Sequence, residues 1–189
     1  MFIIADVTGK SISAGLIVST IYAAVITYFD QNQEKFELKD FVNCLNRILL
    51  KSTTAEKFAT GWFGLYDHSS KTLESVNAGH NVTYVLNSNA ELSELKTGGL
   101  FLGCFDLEYI SESVTLNSGD VVFYFTDGVN EAMDSEQNQF GDDRLEKLIR
   151  ENLNNSADSI LQYLLKDIDK FVGDAEQSDD ITCGLIKVL

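Results

Sequence analysis

The sequence predicts an α+β fold, in which antiparallel β-sheets are flanked by α-helices. The chain has 189 residues, 44% of them hydrophobic, which suits one domain with a buried core. Helical spacing of apolar residues occupies the first part of the chain, strand-like segments fill the middle, and helical spacing returns before a last strand. This order favours segregated layers over alternating βαβ units.

The first fifty residues are expected to hold one strand and two helices. Residues 1–6 form a short apolar run that ends in Asp6, as a buried strand delivers a carboxylate to its end. Residues 11–29 have a helical pattern that is apolar over much of the circumference, so we expect neighbours to cover this helix largely. Those apolar positions would also suit a homodimer or a regulatory contact, with core packing as the default. A second helix is expected at 38–50.

The period of the apolar residues changes to that of strands at Ala59. Strands are predicted at 60–66, 72–77 and 83–86, and the turn-forming residues between them indicate an antiparallel meander. Two more strands, at 109–116 and 121–126, are joined by the good turn formers of residues 117–120. The last part of the chain is predicted to contain helices at 144–153 and 158–171 and a strand at 181–188. Ser156 is the predicted N-cap of the second of these helices.

The charge indicates which partners the protein can bind, and the cysteines indicate the cellular compartment. With 14 basic and 29 acidic residues the formal net charge is −15, so the electric field repels nucleic acids and anionic membrane surfaces. Phosphate binding would then need metal ions that invert the local field. The longest apolar run, 16–26, falls short of the roughly 18 residues of a membrane span, so no direct membrane insertion is expected. Three distant cysteines and no readable secretory signal favour reduced thiols and a cytoplasmic location.

Aspartates at the ends of predicted strands are the candidate site residues. Asp6 ends the first strand, Asp127 follows the strand at 121–126, and Asp179 and Asp180 precede the last strand. Carboxylates at the ends of neighbouring strands can converge, and such oxygen-rich clusters suit hard ions such as Mg²⁺ or Mn²⁺. Each aspartate taken alone is also explained as a turn or cap residue, because Asp is common in turns.

Two other features receive an ordinary interpretation. Residues 134–140 resemble a calcium-binding loop, yet Gln139 stands where that loop needs glycine and Leu145 where it needs a bidentate glutamate. His80 follows a glycine between two predicted strands, so we expect it in a turn rather than as a proton donor.

Five short strings give the sequence a recognisable resemblance. They occur in order along nearly the whole chain: Ala5-Asp6-Val7-Thr8-Gly9-Lys10, Asn77-Ala78-Gly79-His80-Asn81, Phe125-Thr126-Asp127-Gly128-Val129-Asn130-Glu131-Ala132, Phe140-Gly141 and Asp179-Asp180-Ile181-Thr182. Together they resemble the phosphatase domain of the stage II sporulation protein E family. That family belongs to the metal-dependent phosphatases related to protein phosphatase 2C.

The resemblance implies a four-layer αββα sandwich with a two-metal site at one edge. Asp6 would bridge two Mg²⁺ or Mn²⁺ ions, and the backbone carbonyl of Val7 would add a ligand. Asp127 and Asp179 would complete the catalytic acidic cluster. Asp180 is the alternative to Asp179, because adjacent positions of this motif are easily confused.

The resemblance also implies a function, that of a metal-dependent protein serine/threonine phosphatase. Its substrate would be phosphoserine or phosphothreonine on a signalling partner such as an anti-sigma factor antagonist. Lys10 would help to position the phosphate or else lie at the surface. Members of that family normally carry an upstream strand pair with a Gly-Gly-Asp type motif, so we expect residues 1–189 to be a single phosphatase domain that lacks those strands. The alternative is a catalytically weak or inactive module that binds the same partner.

Overall fold

The computed structural model describes residues 1–9, 12–32, 35–54, 56–177 and 179–189. The helices are α1 (Ile12–Gln31), α2 (Leu38–Ser52), α3 (Asp127–Asn130), α4 (Asp142–Asn152) and α5 (Ala157–Val172). The strands are β1 (Phe2–Val7), β2 (Ala59–Asp67), β3 (Thr72–Ala78), β4 (Thr83–Leu86), β5 (Leu92–Leu95), β6 (Gly98–Gly99), β7 (Glu112–Thr115), β8 (Val121–Phe125) and β9 (Cys183–Lys187). Contacts divide these elements into two compact units. Each unit has its own sheet and long helices, which confirms the α+β class.

The first unit comprises residues 1–80 and 95–115. Its sheet has the order β1-β2-β3-β6, with β7 also paired to β3, and every pairing except β3 with β6 is antiparallel. Helices α1 and α2 pack with this sheet around a core in which Phe41, Leu45 and Phe63 are almost fully buried. These long-range pairings place the end of β1 beside the beginning of β2.

Helix α2 is amphipathic, as its sequence predicted, and it also holds the loop that contains Gly103 and Tyr109 in place. Its apolar face is buried, and two asparagines on the helix are buried with it. The side chain of Asn46 accepts a hydrogen bond from the backbone of Gly103 at 2.9 Å, and that of Asn43 accepts one from Tyr109 at 2.9 Å. Buried amides need such partners, so these bonds fix the loop against the helix.

Helix α1 differs from the prediction that neighbours would cover it. Only Ile17 and Ile21 are buried, whereas Leu16 is 64% exposed and Tyr22 is 68% exposed. A helix that is apolar on all sides does not specify which side faces the core, so the expectation of a largely covered helix is wrong. The predicted start at Ser11 lies outside the described residues.

The length of α1 also bears on the question of a membrane span. Within the described part of the chain, α1 is the one helix whose length and composition would allow it to cross a membrane. It is longer than the apolar run 16–26 that the sequence suggested. Core helices of globular proteins and signal sequences meet the same criterion, so a single helix of this kind is weak evidence for a membrane span.

The second unit comprises residues 81–94 and 116–189. Its sheet has the order β5-β4-β8-β9, and β8 pairs antiparallel with β4 on one side and β9 on the other. Helices α4 and α5 pack on it around a separate core that includes Phe123, Leu145 and Leu164. Ser156 is the N-cap of α5 as predicted, since its hydroxyl accepts a hydrogen bond from the backbone of Ser159 at 3.2 Å.

The positions of the strands were predicted better than their pairing. The expected meander is wrong at its third member, because β2 and β3 pair while β4 belongs to the sheet of the second unit. The strands on either side of the turn at 117–120 are not partners either, since β7 pairs with β3 and β8 pairs with β4. Local turn residues indicate where a strand ends, but long-range packing selects its partner.

Candidate active site

Asp6 lies in the first unit, close to the end of β1. Its partner in the β1–β2 register is Thr60, and its side chain is exposed. Just beyond it, the backbone N–H of Thr8 donates to the carbonyl of Phe58 at 3.1 Å, and the N–H of Phe58 donates to the Thr8 hydroxyl at 3.1 Å. These bonds continue the pairing past the strand, so the backbone that follows Asp6 stays bonded to the segment that leads into β2.

The neighbours of Asp6 contain one predicted ligand and one residue that the sequence did not single out. Val7 is half-buried and pairs with Ala59, and the role of its carbonyl as a ligand stays a prediction. Lys10 lies outside the described residues. The ammonium group of Lys57 lies 3.3 Å from the position that a Cβ on Gly9 would take, so it brings a positive charge to the loop that follows β1.

Asp127 lies in the second unit, where β8 gives way to α3. The strand ends at Phe125, Thr126 is the N-cap of the short helix, and Asp127 is its first residue. Asp127 is half-buried, whereas Gly128 and Val129 behind it are buried. The predicted position at a strand end is confirmed.

The segment that contains Asp180 lies directly against Asp127 and Gly128. The backbone N–H of Thr126 donates to the carbonyl of Thr182 at 2.9 Å, and the N–H of Thr182 donates to the Thr126 hydroxyl at 3.1 Å. A Cβ on Gly128 would lie 2.3 Å from the carbonyl oxygen of Asp180. Glycine is therefore required at 128 by this close approach of two backbones.

Asp179 and Asp180 are both exposed and differ in their contacts. The carboxylate of Asp179 accepts a hydrogen bond from the backbone N–H of Asp180 at 2.9 Å, and its carbonyl accepts one from the side chain of Gln177 at 2.7 Å. Asp180 provides the carbonyl that packs on Gly128. The structure thus brings the segment 179–180 to Asp127, and the choice between the two carboxylates as ligand stays a prediction.

The chemistry of these residues fits divalent metal ions. Asp6, Asp127 and the pair at 179–180 offer carboxylate oxygens, which hard ions such as Mg²⁺ and Mn²⁺ prefer. The close contact between Gly128 and Asp180 brings two of these acidic segments together. Over the ranges that the structure describes, no three His, Cys, Asp or Glu side chains form a preassembled metal-binding group. The metal hypothesis therefore rests on the two adjacent carboxylate-bearing segments of the second unit, at 127 and 179–180, rather than on a formed cluster.

A thiol nucleophile near Asp127 finds no support. Cys183 pairs with Phe125 at the start of β9, three positions beyond Asp180. Burial raises the pKa of the Cys183 thiol, so the side chain stays protonated at neutral pH. Because thiolates rather than thiols are the effective nucleophiles, Cys183 is a poor candidate for the nucleophile of this site.

His80 occupies the predicted turn, and its side chain is bonded to β2. Its Nδ1 lies 2.8 Å from the hydroxyl of Thr60, the residue opposite Asp6. Sequence reasoning did not identify Thr60, because its position depends on the register between β1 and β2. Only a correct prediction of the register between β1 and β2 could have identified Thr60 from the sequence.

Comparison with known proteins places these segments in a family. The whole chain, residues 1–189, matches the family model described as stage II sporulation protein E. Protein IcfG of Synechocystis is 28% identical over 158 residues, and the phosphoserine phosphatase RsbU of Bacillus subtilis is 28% identical over 186 residues. These alignments cover 81% and 97% of this chain but only 25% and 54% of the two relatives.

A solved structure gives the same result for the fold. The SiaA-PP2C domain of Pseudomonas aeruginosa superposes with a TM-score of 0.84 at 18% sequence identity. The match covers 99% of this chain and 75% of that domain. The two therefore share the fold that the sequence motifs implied.

Proposed function

The chain belongs to the stage II sporulation protein E family, and on that premise we propose that it is a metal-dependent protein serine/threonine phosphatase. The observation that carries the proposal is the packing of Gly128 on the carbonyl of Asp180, which brings two acidic segments of the family motifs together. Asp6, Asp127 and Asp179 are the proposed catalytic carboxylates. Val7 and Asp180 are proposed as further ligands.

The electrostatics of the protein support a role for divalent ions in the proposed reaction. A net charge of −15 repels a phosphorylated substrate, and the candidate site adds several carboxylates to that field. Two bound Mg²⁺ or Mn²⁺ ions would reverse the local charge, polarise the phosphoryl oxygens and lower the pKa of attacking water. The carboxylates would hold the ions, while the paired backbones at 126 and 182 keep Asp127 in a fixed position.

The proposed substrate is phosphoserine or phosphothreonine on a protein partner. RsbU is a phosphoserine phosphatase, and its similarity to this chain supports a substrate of that class. We propose an anti-sigma factor antagonist as the partner, in the cytoplasm, where a switch by phosphorylation can be reversed. Homodimer formation through the apolar side of α1 is a further part of this proposal.

The function is tested by phosphate release from a phosphoserine protein, with and without Mn²⁺, for the wild-type chain and Asp127→Asn. We expect metal-dependent turnover that falls at least about 100-fold in the variant, because a neutral amide is a far weaker ligand than a carboxylate. The matched control is Asp134→Asn. Asp134 belongs to the same unit, but its carboxylate caps a loop by accepting from the backbone N–H groups of Glu136 at 2.8 Å and Asn138 at 2.9 Å.

The two variants separate catalysis from folding. Asp134→Asn should keep its turnover and lose only a little stability, whereas Asp127→Asn should lose turnover and keep its fold. Absence of turnover in the wild-type chain would instead favour the binding module. Equal loss of turnover in both variants would show that Asp127 has no special role in catalysis.

A further inference from the structure

The side chains of Thr60 and His80 form a hydrogen-bonded pair beside Asp6. The His80 Nδ1 and the Thr60 hydroxyl are 2.8 Å apart, and Thr60 is the register partner of Asp6 across β1 and β2. Either tautomer of the imidazole can make this bond, because a hydroxyl both donates and accepts. Residues directly opposite in an antiparallel pair project from the same face, with Cβ atoms about 5 Å apart. The bonded hydroxyl therefore belongs to the immediate surroundings of the Asp6 side chain.

The backbone around His80 is built to bring its ring to this position. Gly79 forms a bridge with Gly61, the residue after Thr60. Gly79 has a φ of 67°, and a Cβ there would lie 2.7 Å from the backbone nitrogen of Phe101. Both the dihedral angle and the space exclude a side chain at 79. The chain can therefore pass close to β2 and present the next residue to Thr60.

Asn77 then fixes the turn from the other side. Its side-chain oxygen accepts from the backbone N–H of His80 at 2.8 Å, and its amide donates to the carbonyl of His80 at 3.0 Å. Asn77 is itself only 4% exposed. These two bonds fix the backbone of His80 and with it the point from which the imidazole reaches Thr60.

The burial of the ring distinguishes a supporting role from a chemical one. The Nε2 atom of His80 is buried, and the Nδ1 atom faces Thr60. The Nε2 atom is thus shielded from the surface, where a phosphoprotein would have to dock, and Nδ1 is bonded to Thr60. This placement argues against proton transfer from His80 to the substrate, and the bond to Thr60 favours an action through that hydroxyl.

We propose that His80 is a positioning residue that acts through Thr60 on Asp6, and so prepares Asp6 to bind a divalent metal ion. This inference rests on the proposed function and extends it to a residue behind the ligand. A hydroxyl held by the imidazole restricts the Thr60 rotamer and with it the space open to the neighbouring carboxylate. Residues that orient a ligand in this way commonly affect metal affinity by about 10–100-fold.

The test compares Mn²⁺ binding by four single variants of the whole chain. Thr60→Val removes the hydroxyl at constant shape, and His80→Phe removes the ring nitrogens. His80→Asn keeps an amide that can both donate and accept near the position of Nδ1. Thr72→Val is the matched control, because it makes the same change at the far end of β3, where the hydroxyl bonds only within its turn.

Mn²⁺ affinity is measured by fitting the melting temperature against Mn²⁺ concentration, because the stabilisation grows as the logarithm of 1 + [Mn²⁺]/Kd, and this readout does not depend on turnover. We expect Thr60→Val and His80→Phe to weaken affinity about 10–100-fold, with KM for the phosphoprotein unchanged. His80→Asn and Thr72→Val should retain affinity close to wild type. Combining Thr60→Val with His80→Phe should add little to either change, because both remove one interaction.

The outcomes separate this inference from the proposed function. If the metal-free melting temperatures of the variants fall while Mn²⁺ affinity does not, His80 is a structural residue and the inference is overturned. Wild-type protein that binds Mn²⁺ without hydrolysing phosphate would defeat the proposed function, and weakened binding in the variants would still support the inference. Wild-type protein that does not bind Mn²⁺ would overturn both.

Discussion

Helices α1 and α5 show how differently two helices of one chain can relate to a core. Helix α5 buries Ile160, Leu164 and Ile168 along one side and exposes charged residues on the other. Helix α1 carries no charged side chain from Ile12 to Phe29, and it leaves most of its large apolar residues exposed. The two helices belong to different units, and each packs with the sheet of its own unit.

The difference shows what makes the buried side of a helix predictable. A contrast between apolar and charged residues at a period of 3.6 assigns the inward side of α5 without ambiguity. Helix α1 lacks that contrast, so many rotations about its axis bury similar amounts of apolar surface. Its orientation therefore follows from the packing of the first unit rather than from its own sequence.

The largest expected effect comes from truncating the buried side of α5. Leu164→Ala should lower the free energy of unfolding by about 2–5 kcal/mol, because it leaves a cavity in the core of the second unit. Leu164 is fully buried, and the adjacent Leu165 is 43% exposed. Chemical denaturation of Leu164→Ala beside Leu165→Ala measures the contrast. Similar losses of unfolding free energy in both variants would show that the inward side of α5 is assigned incorrectly.

An intermediate effect is expected from the ion pair on the outer part of α5. Arg144 of α4 donates two hydrogen bonds to Asp167, both at 2.9 Å, and its guanidinium lies over the rings of Phe140 and Phe171. These bonds hold the pKa of the Asp167 carboxyl below its usual range. Asp167→Asn should cost about 0.5–1 kcal/mol of unfolding free energy at pH 7, since both side chains are partly exposed.

The pH dependence of that loss follows from the direction of the shift. A carboxyl with a lowered pKa in the folded state contributes stability above its unfolded pKa and loses it as the pH falls through the folded value. The difference between wild type and Asp167→Asn should thus begin to shrink near pH 4, about the unfolded pKa, and disappear as the pH falls below the lower folded pKa. Asp169→Asn is the control, because it removes the same charge and leaves the Arg144 pair intact. A difference that persists at pH 2 would assign the effect to packing instead.

The smallest effect is expected on the exposed side of α1. Leu16→Ala should change the free energy of unfolding by less than about 0.5 kcal/mol, as surface substitutions usually do. Its neighbour Ile17 is 4% exposed, so Ile17→Ala should cost about 2–4 kcal/mol. Thermal unfolding at several protein concentrations checks both variants. A cost for Leu16→Ala that grows with protein concentration would show that the exposed side is covered by another copy of the chain.

Much of the fold could be predicted because local patterns were clear. The two amphipathic helices of the second unit, the strands β2, β3 and β8, and the cap at Ser156 were placed correctly from spacing and turn chemistry. The short strands β5 and β6 and the single turn of α3 were missed. These three elements of two to four residues show no clear period of their own, unlike the equally short β4 that was predicted at 83–86, and their pairing partners stabilise β5 and β6.

The candidate site divides in the same way. The positions of Asp6 and Asp127 at the ends of strands were predicted from the apolar runs before them, and the structure confirms those positions. The close approach that requires glycine at 128 could not be predicted, because the backbone that approaches it comes from Asp180, more than fifty residues away. Thr60 was missed for a related reason, since only the register of β1 against β2 places it opposite Asp6.

The sequence by itself determined the α+β class, the family motifs, and the acidic residues whose carboxylates suit divalent ions. Those properties depend on residue type and on spacing within short segments, which a chain displays before it folds. Tertiary structure alone decided which strand pairs with which, which side of α1 is left exposed, and which side chains lie beside Asp6 and Asp127. Such choices depend on contacts between distant segments, where the free energy of packing selects among arrangements that local patterns leave equal.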